Sequence, residues 1–316
     1  MDGNSVGESL ATAEVGAPAR PVIVVVCNRK GGVAKSTTAA NLAVTLAAFG
    51  YDTVLVDLDP QGDATRAMRQ VEAARGSFDL VLGDATLLDV GVRTPFEGLA
   101  LVPATPTLAL ADIDAGSLRR TSESLRERLG TPDGSPDFAI FDCPPYLGAA
   151  SVMAMAAADM ALIPVAPTPS AAEGLSGTWT TLTQLKRSLG SGGAVLLIGA
   201  DTDDPVSTVM TERIRQNFGE ALLRAVIPPD STVEEAAFHG LPVVVYDHKA
   251  PSAARYIDVA MEMLERLHQR PGVGPLRHPR KLADTLERLE SWRRALAPPA
   301  EALAMLARAS TPPPEA

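Results

Sequence analysis

A segment rich in glycine, lysine and hydroxyl side chains, residues 28–37, directly follows an apolar run at residues 22–26. Its sequence is Asn-Arg-Lys-Gly-Gly-Val-Ala-Lys-Ser-Thr. Glycines let the backbone curl so that successive N–H groups point at phosphate oxygens, and a following helix adds the partial positive charge of its N-terminus. Lys35 is placed to reach the β and γ phosphates of a nucleotide, and the Ser36 hydroxyl to ligate Mg²⁺. The segment therefore predicts a phosphate-binding loop.

The loop departs from the strict pattern G-x-x-x-x-G-K-[ST], because Arg29 and Ala34 occupy the positions of its two glycines. It satisfies the variant K-G-G-x-x-K-[ST] in full. The variant brings a second lysine, Lys30, which an ordinary phosphate loop does not need.

Two acidic clusters supply carboxylates for the same chemistry. Asp57 and Asp59 end a second apolar run, and Asp142 ends another. Because the carboxyl ends of parallel strands meet at one edge, the usual ligand crevice, we expect these acids to lie near the loop. One acid near a γ-phosphate can hold the water shell of a metal, and another can orient or polarise the attacking water. Asp142 has the position of a Walker B acid that supports Mg²⁺.

The order of apolar and helical segments predicts the fold that positions these residues. Short apolar runs alternate with helical segments of ten or more residues, which is the pattern of βαβ units. The predicted strands are 22–26, 53–56, 99–102, 138–141, 161–165, 195–198 and 225–227. The predicted helices are 36–49, 117–129, 147–157, 171–189, 207–218 and 252–267. The fold class is α/β, a doubly wound, mostly parallel sheet with helices on both faces, as in P-loop NTPases, followed by a C-terminal helical tail.

The chain is predicted to have three parts. Residues 1–20 form a flexible N-terminal lead that lacks the apolar core of a secretory signal. Residues 21–269 form the sheet domain, and residues 270–316 a linker and an amphipathic basic tail. Within the tail, Leu and Trp residues three or four apart predict a helix over 281–296, and a second short helix is expected over 301–308.

Composition and charge exclude several classes of protein. The 316 residues carry a net charge of −10, which argues against a uniformly basic nucleic-acid wrapper. Positive charge concentrates in residues 270–296, where seven Lys or Arg against three Asp or Glu give a local balance of +4. The two cysteines, Cys27 and Cys143, fit no zinc spacing and favour a reducing, cytoplasmic compartment. No apolar stretch reaches the length of a membrane span.

Together, the three motifs resemble the deviant Walker A, A′ and B motifs of the ParA/MinD family of ATPases. They are Lys30–Ser36, Asp57–Gln61 and Phe141–Pro145. Other segments are similar to the ParA/Soj branch, which segregates plasmids and chromosomes: 101–106, 157–165, 173–175, 226–228, 239–242, 246–247 and 254–256. The resemblance runs from about residue 21 to residue 267, so the lead and the tail lie outside it.

The resemblance implies ATP and Mg²⁺ as cofactors and a homodimer that forms on ATP. The implied catalytic residues are Lys30, which reaches across to the partner's phosphates, Lys35, and Asp59, which matches the water-activating position. The implied nucleotide-binding residues are Lys30, Gly31, Gly32, Val33, Ala34, Lys35, Ser36, Thr37 and Pro228, the last of which lines the adenine pocket. The implied metal site has Ser36 as a ligand and Asp57 and Asp142 in the outer shell.

The basic residues that bind DNA in the ParA branch are not matched in this chain. Asp203, Pro229 and Thr232 stand at the positions where that branch has basic side chains. An acid that faces phosphates is repulsive, which argues against DNA binding through this face. Other candidate cations for DNA are Lys186, Arg187, Arg213, Arg215, Arg224, Arg277, Arg280 and Lys281.

Three functions stay open from the sequence. The favoured one is a ParA-type partition ATPase that dimerises on ATP, binds DNA without sequence preference and hydrolyses ATP slowly until a centromere-binding, ParB-like or other adaptor protein stimulates it. Such a protein is cytoplasmic and associated with the nucleoid. The alternative is an ATP-driven switch of the same family that positions a protein cargo without binding DNA, which Asp203 and Pro229 favour. The least favoured is a MinD-like membrane ATPase, because the tail helix carries three acids and is followed by a long extension.

Overall fold

Eight strands form a single sheet in the part of the chain that the computed structural model describes, residues 20–70, 74–110, 122–130, 135–186, 193–270 and 272–296. The strands are β1 (Val22–Val26), β2 (Thr53–Asp57), β3 (Val92–Arg93), β4 (Leu99–Val102), β5 (Phe138–Asp142), β6 (Met160–Val165), β7 (Gly193–Ile198) and β8 (Leu222–Ile227). Their order is β3-β4-β2-β5-β1-β6-β7-β8. Every neighbouring pair is parallel except β3 with β4.

Helices cover both faces of this sheet. They are α1 (Lys35–Ala48), α2 (Asp63–Ala67), α3 (Ser77–Val81), α4 (Leu87–Val90), α5 (Ser122–Leu129), α6 (Ala149–Ala157), α7 (Pro169–Lys186), α8 (Pro205–Phe218), α9 (Thr232–Phe238), α10 (Val243–Tyr246), α11 (Pro251–His268) and α12 (Leu282–Leu296). Among the described residues, none of the helices combines the length and the apolar character that a membrane-spanning segment requires.

Strand β1 shows why the apolar runs are continuous rather than alternating. Val22, Val24 and Val26 pack into one hydrophobic core, together with residues of α1, α11 and α12. Ile23 and Val25 point to the other face and pack into a second core with residues of α3, α6 and α7. A central strand of a parallel sheet is covered on both sides, so every position is apolar.

The predicted α/β fold class and its seven strands are confirmed. Strand β3 was not predicted because it has only two residues, and it is the antiparallel edge of the sheet. The short helices α2, α3, α4, α9 and α10 were also not predicted, since four to seven residues carry little periodic signal. The expected helix over 301–308 and the first part of the one over 117–129 lie outside the described residues.

The predicted helix over 281–296 is present as α12, and it packs against α1 and α10. Leu289 and Trp292 on its apolar stripe are buried. The Trp292 ring makes an edge contact with Phe96, with centroids 5.4 Å apart. The stripe therefore faces the core of the same chain.

The segment that leads to α12 is tied to the sheet domain by polar contacts. The Arg277 guanidinium pairs with the buried Asp137, and the Tyr51 hydroxyl donates to the Arg277 carbonyl oxygen. The backbone N–H of Arg280 donates to the carbonyl oxygen of Phe49 at the end of α1, at 2.9 Å. These contacts fix the tail on the side of the sheet that α1 covers.

Candidate functional site

The predicted phosphate loop connects β1 to α1 at the point where the sheet order reverses direction. Strand β1 lies between β5 and β6, so the loop emerges at a topological switch point, where α/β sheets bind ligands. Gly32 (φ 73°) and Ala34 (φ 57°) both have left-handed backbone conformations. Such a conformation costs a residue with a Cβ about 1–2 kcal/mol. Ala34 thus occupies a position whose geometry favours the glycine of the strict motif.

Hydrogen bonds from neighbouring elements hold the first half of the loop. The Asn28 amide nitrogen donates to the Pro164 carbonyl oxygen at 2.8 Å, and the Asn28 amide oxygen accepts from the backbone N–H of Lys30 at 3.0 Å. The backbone N–H of Arg29 donates to the Thr178 hydroxyl on α7 at 3.0 Å. The loop is therefore anchored both to β6 and to α7.

The two lysines of the loop lie in different environments. The Lys35 side chain is buried, and its ammonium donates to the carbonyl oxygen of Lys30 at 3.1 Å. Burial lowers the pKa of Lys35, and the nearby Asp142 and Asp59 act in the opposite direction. Lys30 itself is exposed. Lys35 is thus held inside the loop, whereas Lys30 projects from it.

The two acids at the end of β2, Asp57 and Asp59, differ in how many of their carboxylate oxygens accept hydrogen bonds from the protein. One oxygen of the fully buried Asp57 accepts from the backbone N–H of Asp59 at 3.0 Å. Its other oxygen accepts from the backbone N–H and the hydroxyl of Thr65, at 2.8 and 2.7 Å. Asp59 uses one oxygen, which accepts from the backbone N–H of Gln61 at 3.0 Å. Asp57 therefore positions the turn that carries Asp59. Burial raises the pKa of Asp57 to about 6.

Asp142 lies directly beside Asp57 at the carboxyl ends of their strands, because the two are register partners on the adjacent parallel strands β5 and β2. Both Asp142 carboxylate oxygens are buried, and neither makes a hydrogen bond of standard geometry within the described part of the chain. Burial and the Asp57 carboxylate raise the pKa of Asp142 well above its usual value, while Ser36 and Lys35 act to lower it. A buried carboxylate without partners is costly unless a cation or a donor completes it.

The residues around Asp142 fit a magnesium ion. Mg²⁺ prefers oxygen ligands, keeps several waters and is usually held by one or two carboxylates together with substrate phosphates. Ser36, in the first turn of α1, and the orphaned oxygens of Asp142 match that chemistry. No group of three or more His, Cys, Asp and Glu able to hold a metal is found among the described residues. The arrangement suits an ion that is bound mainly through phosphates.

A cavity of about 940 Å³ opens beside the phosphate loop. Its polar end contains phosphate-loop residues together with Asp59, and its other walls come from α2 and from the segment 233–243. The lining includes the polar side chains of Lys35, Ser36, Asp59, Arg66 and Arg69 and the aromatic ring of Phe238. A strongly polar end that continues into a partly apolar wall has the size and character of a nucleotide site.

The amino-acid sequence is similar to those of known proteins. The sequence profile of the AAA_31 family, described as an AAA domain, matches residues 21–194, just over half of the chain. The chain is 33% identical over 255 residues to the chromosome partitioning protein ParA of Caulobacter vibrioides, covering 78% of this chain and 96% of that protein. It is 33% identical over 246 residues to the sporulation initiation inhibitor protein Soj of Bacillus subtilis, covering 76% and 97%. The chain belongs to the ParA/MinD family of ATPases.

A solved structure agrees with this assignment to the ParA/MinD family. The septum site-determining protein MinD of Pyrococcus horikoshii, complexed with Mg-ADP, superimposes with a TM-score of 0.63 at 25% identity, covering 77% of this chain and 96% of that one. The predicted family, fold class and cofactors, ATP and Mg²⁺, are thereby confirmed. The roles assigned to individual residues stay predictions.

Lys30, the predicted signature lysine, lies against α7 through its Cβ. A Cβ added to Gly174 would come within 3.0 Å of the Lys30 Cβ and 3.2 Å of the Asn28 amide oxygen. Gly174 is therefore needed for this close approach. The segment 173–175 stood out in the sequence only as a point of resemblance, and the structure places it in direct support of the loop.

The structure also shows site residues that the motifs did not reveal. Thr178 supports the loop and Thr65 bonds Asp57. Two arginines of the α2 region, Arg66 and Arg69, line the cavity, as does the segment 233–243. This last segment is nearly 200 residues from the phosphate loop, so only tertiary packing brings it there. Pro228 is half-buried after β8 and is not among the residues that line the cavity, so its predicted adenine contact stays untested.

The candidate DNA-binding cations are distributed over several elements, and half of the six whose side chains are described are paired with acids. Arg215 pairs with Glu212 at 3.0 Å, and Arg224 with Glu262 at 3.6 Å. Arg224 also pairs with Glu265, and Arg277 with Asp137. Arg213, Arg280 and Lys281 are exposed, and their side chains make no ion pair within the described ranges. The side chain of Lys186 and all of Arg187 lie outside the described residues.

Proposed function

We propose that this protein is a partition ATPase of the ParA type, in which ATP switches the chain between a monomer and a sandwich homodimer. The observation that carries the proposal is the exposure of Lys30 beside the buried Lys35. Lys35 serves the phosphates of its own chain. Lys30 is free to reach the phosphates of a second copy, which makes association depend on the nucleotide.

Asp59 is the residue best placed to orient the attacking water. It lines the cavity and commits one carboxylate oxygen to the backbone N–H of Gln61. Both oxygens of Asp57 are already bonded to protein groups. Asp57 therefore acts as a positioning residue for Asp59. Mg²⁺, when bound beside Ser36 and Asp142, neutralises charge on the phosphates.

Hydrolysis is expected to be slow in the isolated chain. Part of the positive charge that stabilises the transition state, that of Lys30, arrives only with a second subunit. A ParB-like adaptor that favours the closed dimer would accelerate the reaction. The name of the Caulobacter relative, chromosome partitioning protein ParA, supports a role in chromosome partitioning. The name of the Bacillus relative, sporulation initiation inhibitor protein Soj, supports a regulatory role.

In this proposal, non-specific DNA binding rests on cations that the chain's own acids leave unpaired. Three exposed candidate cations have no ion pair with an acid among the described residues. They are Arg213 on α8 and two consecutive residues before α12, Arg280 and Lys281. Counterion release from DNA phosphates would make such binding strongly dependent on salt.

A second candidate function, positioning of a protein cargo without DNA, is favoured by one observation. Asp203 is exposed at the position where the family's DNA-binding branch has a basic residue, and its backbone N–H is fixed by the Asp201 carboxylate at 2.9 Å. This surface is acidic and repels phosphates.

The deciding experiment uses the full chain carrying Asp59→Ala, which is expected to bind ATP and to remain dimeric. Binding to non-specific duplex DNA is measured by fluorescence anisotropy with ATP and with ADP across a salt series. Lys35→Ala, which removes the phosphate-binding ammonium, is the control. Binding that requires ATP and weakens steeply with salt would support partition, and its loss in the double variant Arg280→Glu, Lys281→Glu would locate the contact. Absence of binding with both nucleotides would favour the cargo function.

Dimerisation is tested separately by light scattering after size-exclusion chromatography. The Asp59→Ala protein should double its mass with ATP but not with ADP. Adding Lys30→Ala should keep it monomeric while leaving ATP bound. A dimer that forms equally well without Lys30 would overturn the proposed switch.

A further inference from the structure

Arg69, just beyond α2, combines an unusual backbone conformation with a position in the cavity wall. Its φ is 58°, in the left-handed region, and its backbone N–H donates to the Arg66 carbonyl oxygen at 2.9 Å. The next residue, Gln70, donates its backbone N–H to the Thr65 carbonyl oxygen at 3.3 Å. Because Thr65 also bonds Asp57, the position of Arg69 is linked to the acidic motif at the end of β2.

The conformation of Arg69 would suit glycine better. A side chain in the left-handed region costs about 1–2 kcal/mol, and such strain is concentrated at functional sites. The exposed Arg69 guanidinium makes no hydrogen bond or ion pair with any residue that the structure describes. No contact with the described residues explains why an arginine stands here.

Arg66 provides the contrast, because it lines the same cavity and carries the same charge. Its guanidinium pairs with Asp63 and donates to the Gln61 carbonyl oxygen at 2.6 Å. Of the two arginines, Arg66 is already committed to its own turn. Arg69 retains all of its donors for a ligand.

We propose that Arg69 binds the phosphate chain of the nucleotide held in its own subunit, as a cation additional to the lysines of the phosphate loop. The inference rests on the proposed nucleotide site and adds a residue to it. Guanidinium groups suit phosphates because they present several N–H donors in a rigid plane. The cavity that Arg69 lines also contains Lys35 and Ser36, so one polyphosphate can meet both sides.

The test measures the affinity of the full chain for ATP, ADP and adenosine by calorimetry and competition. Arg69→Gly removes the guanidinium and relieves the strained conformation, so this variant should fold at least as well as the wild type. We expect it to bind ATP and ADP about tenfold more weakly, the effect of losing one charge-assisted hydrogen bond, and adenosine equally well. Arg69→Lys should recover part of the loss.

Arg75→Ala is the control for the loss of a positive charge, because Arg75 is exposed, pairs with Asp79 at 3.5 Å and does not line the cavity; its ATP affinity should change less than about twofold. Three results would overturn the inference: unchanged ATP affinity in Arg69→Gly, an equal loss for adenosine, or an equal loss in Arg75→Ala. The variant Lys35→Ala separates this inference from the proposed site. If Lys35→Ala binds ATP like the wild type, the proposed nucleotide site itself is wrong.

Discussion

Replacing Trp292 with alanine tests whether α12 is an integral part of the ATPase fold. The Trp292 side chain is 7% exposed, its ring contacts Phe96, and the Arg288 guanidinium carbon lies 5.1 Å from its ring centroid. Truncating a buried tryptophan to alanine costs about 3–5 kcal/mol, through the lost burial and the cavity that remains. The aromatic and cation–π contacts account for about 1 kcal/mol of this. We therefore expect Trp292→Ala to lower the free energy of unfolding by about 4 kcal/mol in urea denaturation.

Leu282 on the same helix supplies the matched control. Its side chain is 57% exposed, so Leu282→Ala should change the free energy of unfolding by less than about 0.5 kcal/mol. If Trp292→Ala also lost less than about 1 kcal/mol, the burial of this helix against α1 and α10 would be refuted. A large loss for Trp292 alone would show that residues beyond 269 stabilise the domain that holds the nucleotide.

Three further predictions concern the site itself. Lys35→Ala should abolish ATP binding in a nucleotide titration. Asp59→Ala should bind ATP normally and release no phosphate. Normal ATP turnover in Asp59→Ala would contradict the proposal that Asp59 orients the attacking water. Ala34→Gly should raise the free energy of unfolding by about 1 kcal/mol in urea, because glycine accepts the left-handed conformation, and a destabilised variant would contradict this account. Burial raises the pKa of Asp57 to about 6 in the fold, above the value of about 3.9 for an unperturbed aspartate, so this carboxyl makes wild-type stability fall as pH rises through that range. Asp57→Asn should flatten that part of the stability profile in urea titrations at a series of pH values, and an unchanged slope would contradict the assignment.

The sheet and the polar end of the site could be predicted from sequence because both depend on local signals. Continuous β-branched runs such as 22–26 predict buried parallel strands, and the spacing of Lys30, Lys35 and Ser36 predicts a phosphate loop. The two aspartates Asp57 and Asp142 could be predicted to converge since the ends of adjacent parallel strands must meet.

The rest of the site depends on packing between residues that are far apart in the chain. No local pattern places the segment 233–243 across the cavity from α1, or Thr178 against the backbone of Arg29. The different roles of Asp57 and Asp59 also depend on Thr65. Thr65 donates hydrogen bonds to the Asp57 carboxylate, whereas the Asp59 carboxylate lines the cavity. In the sequence, only the resemblance to the family distinguishes the roles of the two acids.

In the tail, the number of basic residues in the sequence does not show how many of them are free of ion pairs in the fold. Its apolar stripe and its excess of basic residues were readable from the sequence, and the excess made the tail a candidate for contacting DNA. The structure pairs Arg277 with Asp137, Arg288 with Glu97 at 3.1 Å, and Arg293 with Glu290 at 2.7 Å. These pairs connect the tail to the domain or stabilise its helix. A local net charge therefore overstates what is available to phosphates, and within the described part of the tail a DNA contact would rest on the unpaired Arg280 and Lys281.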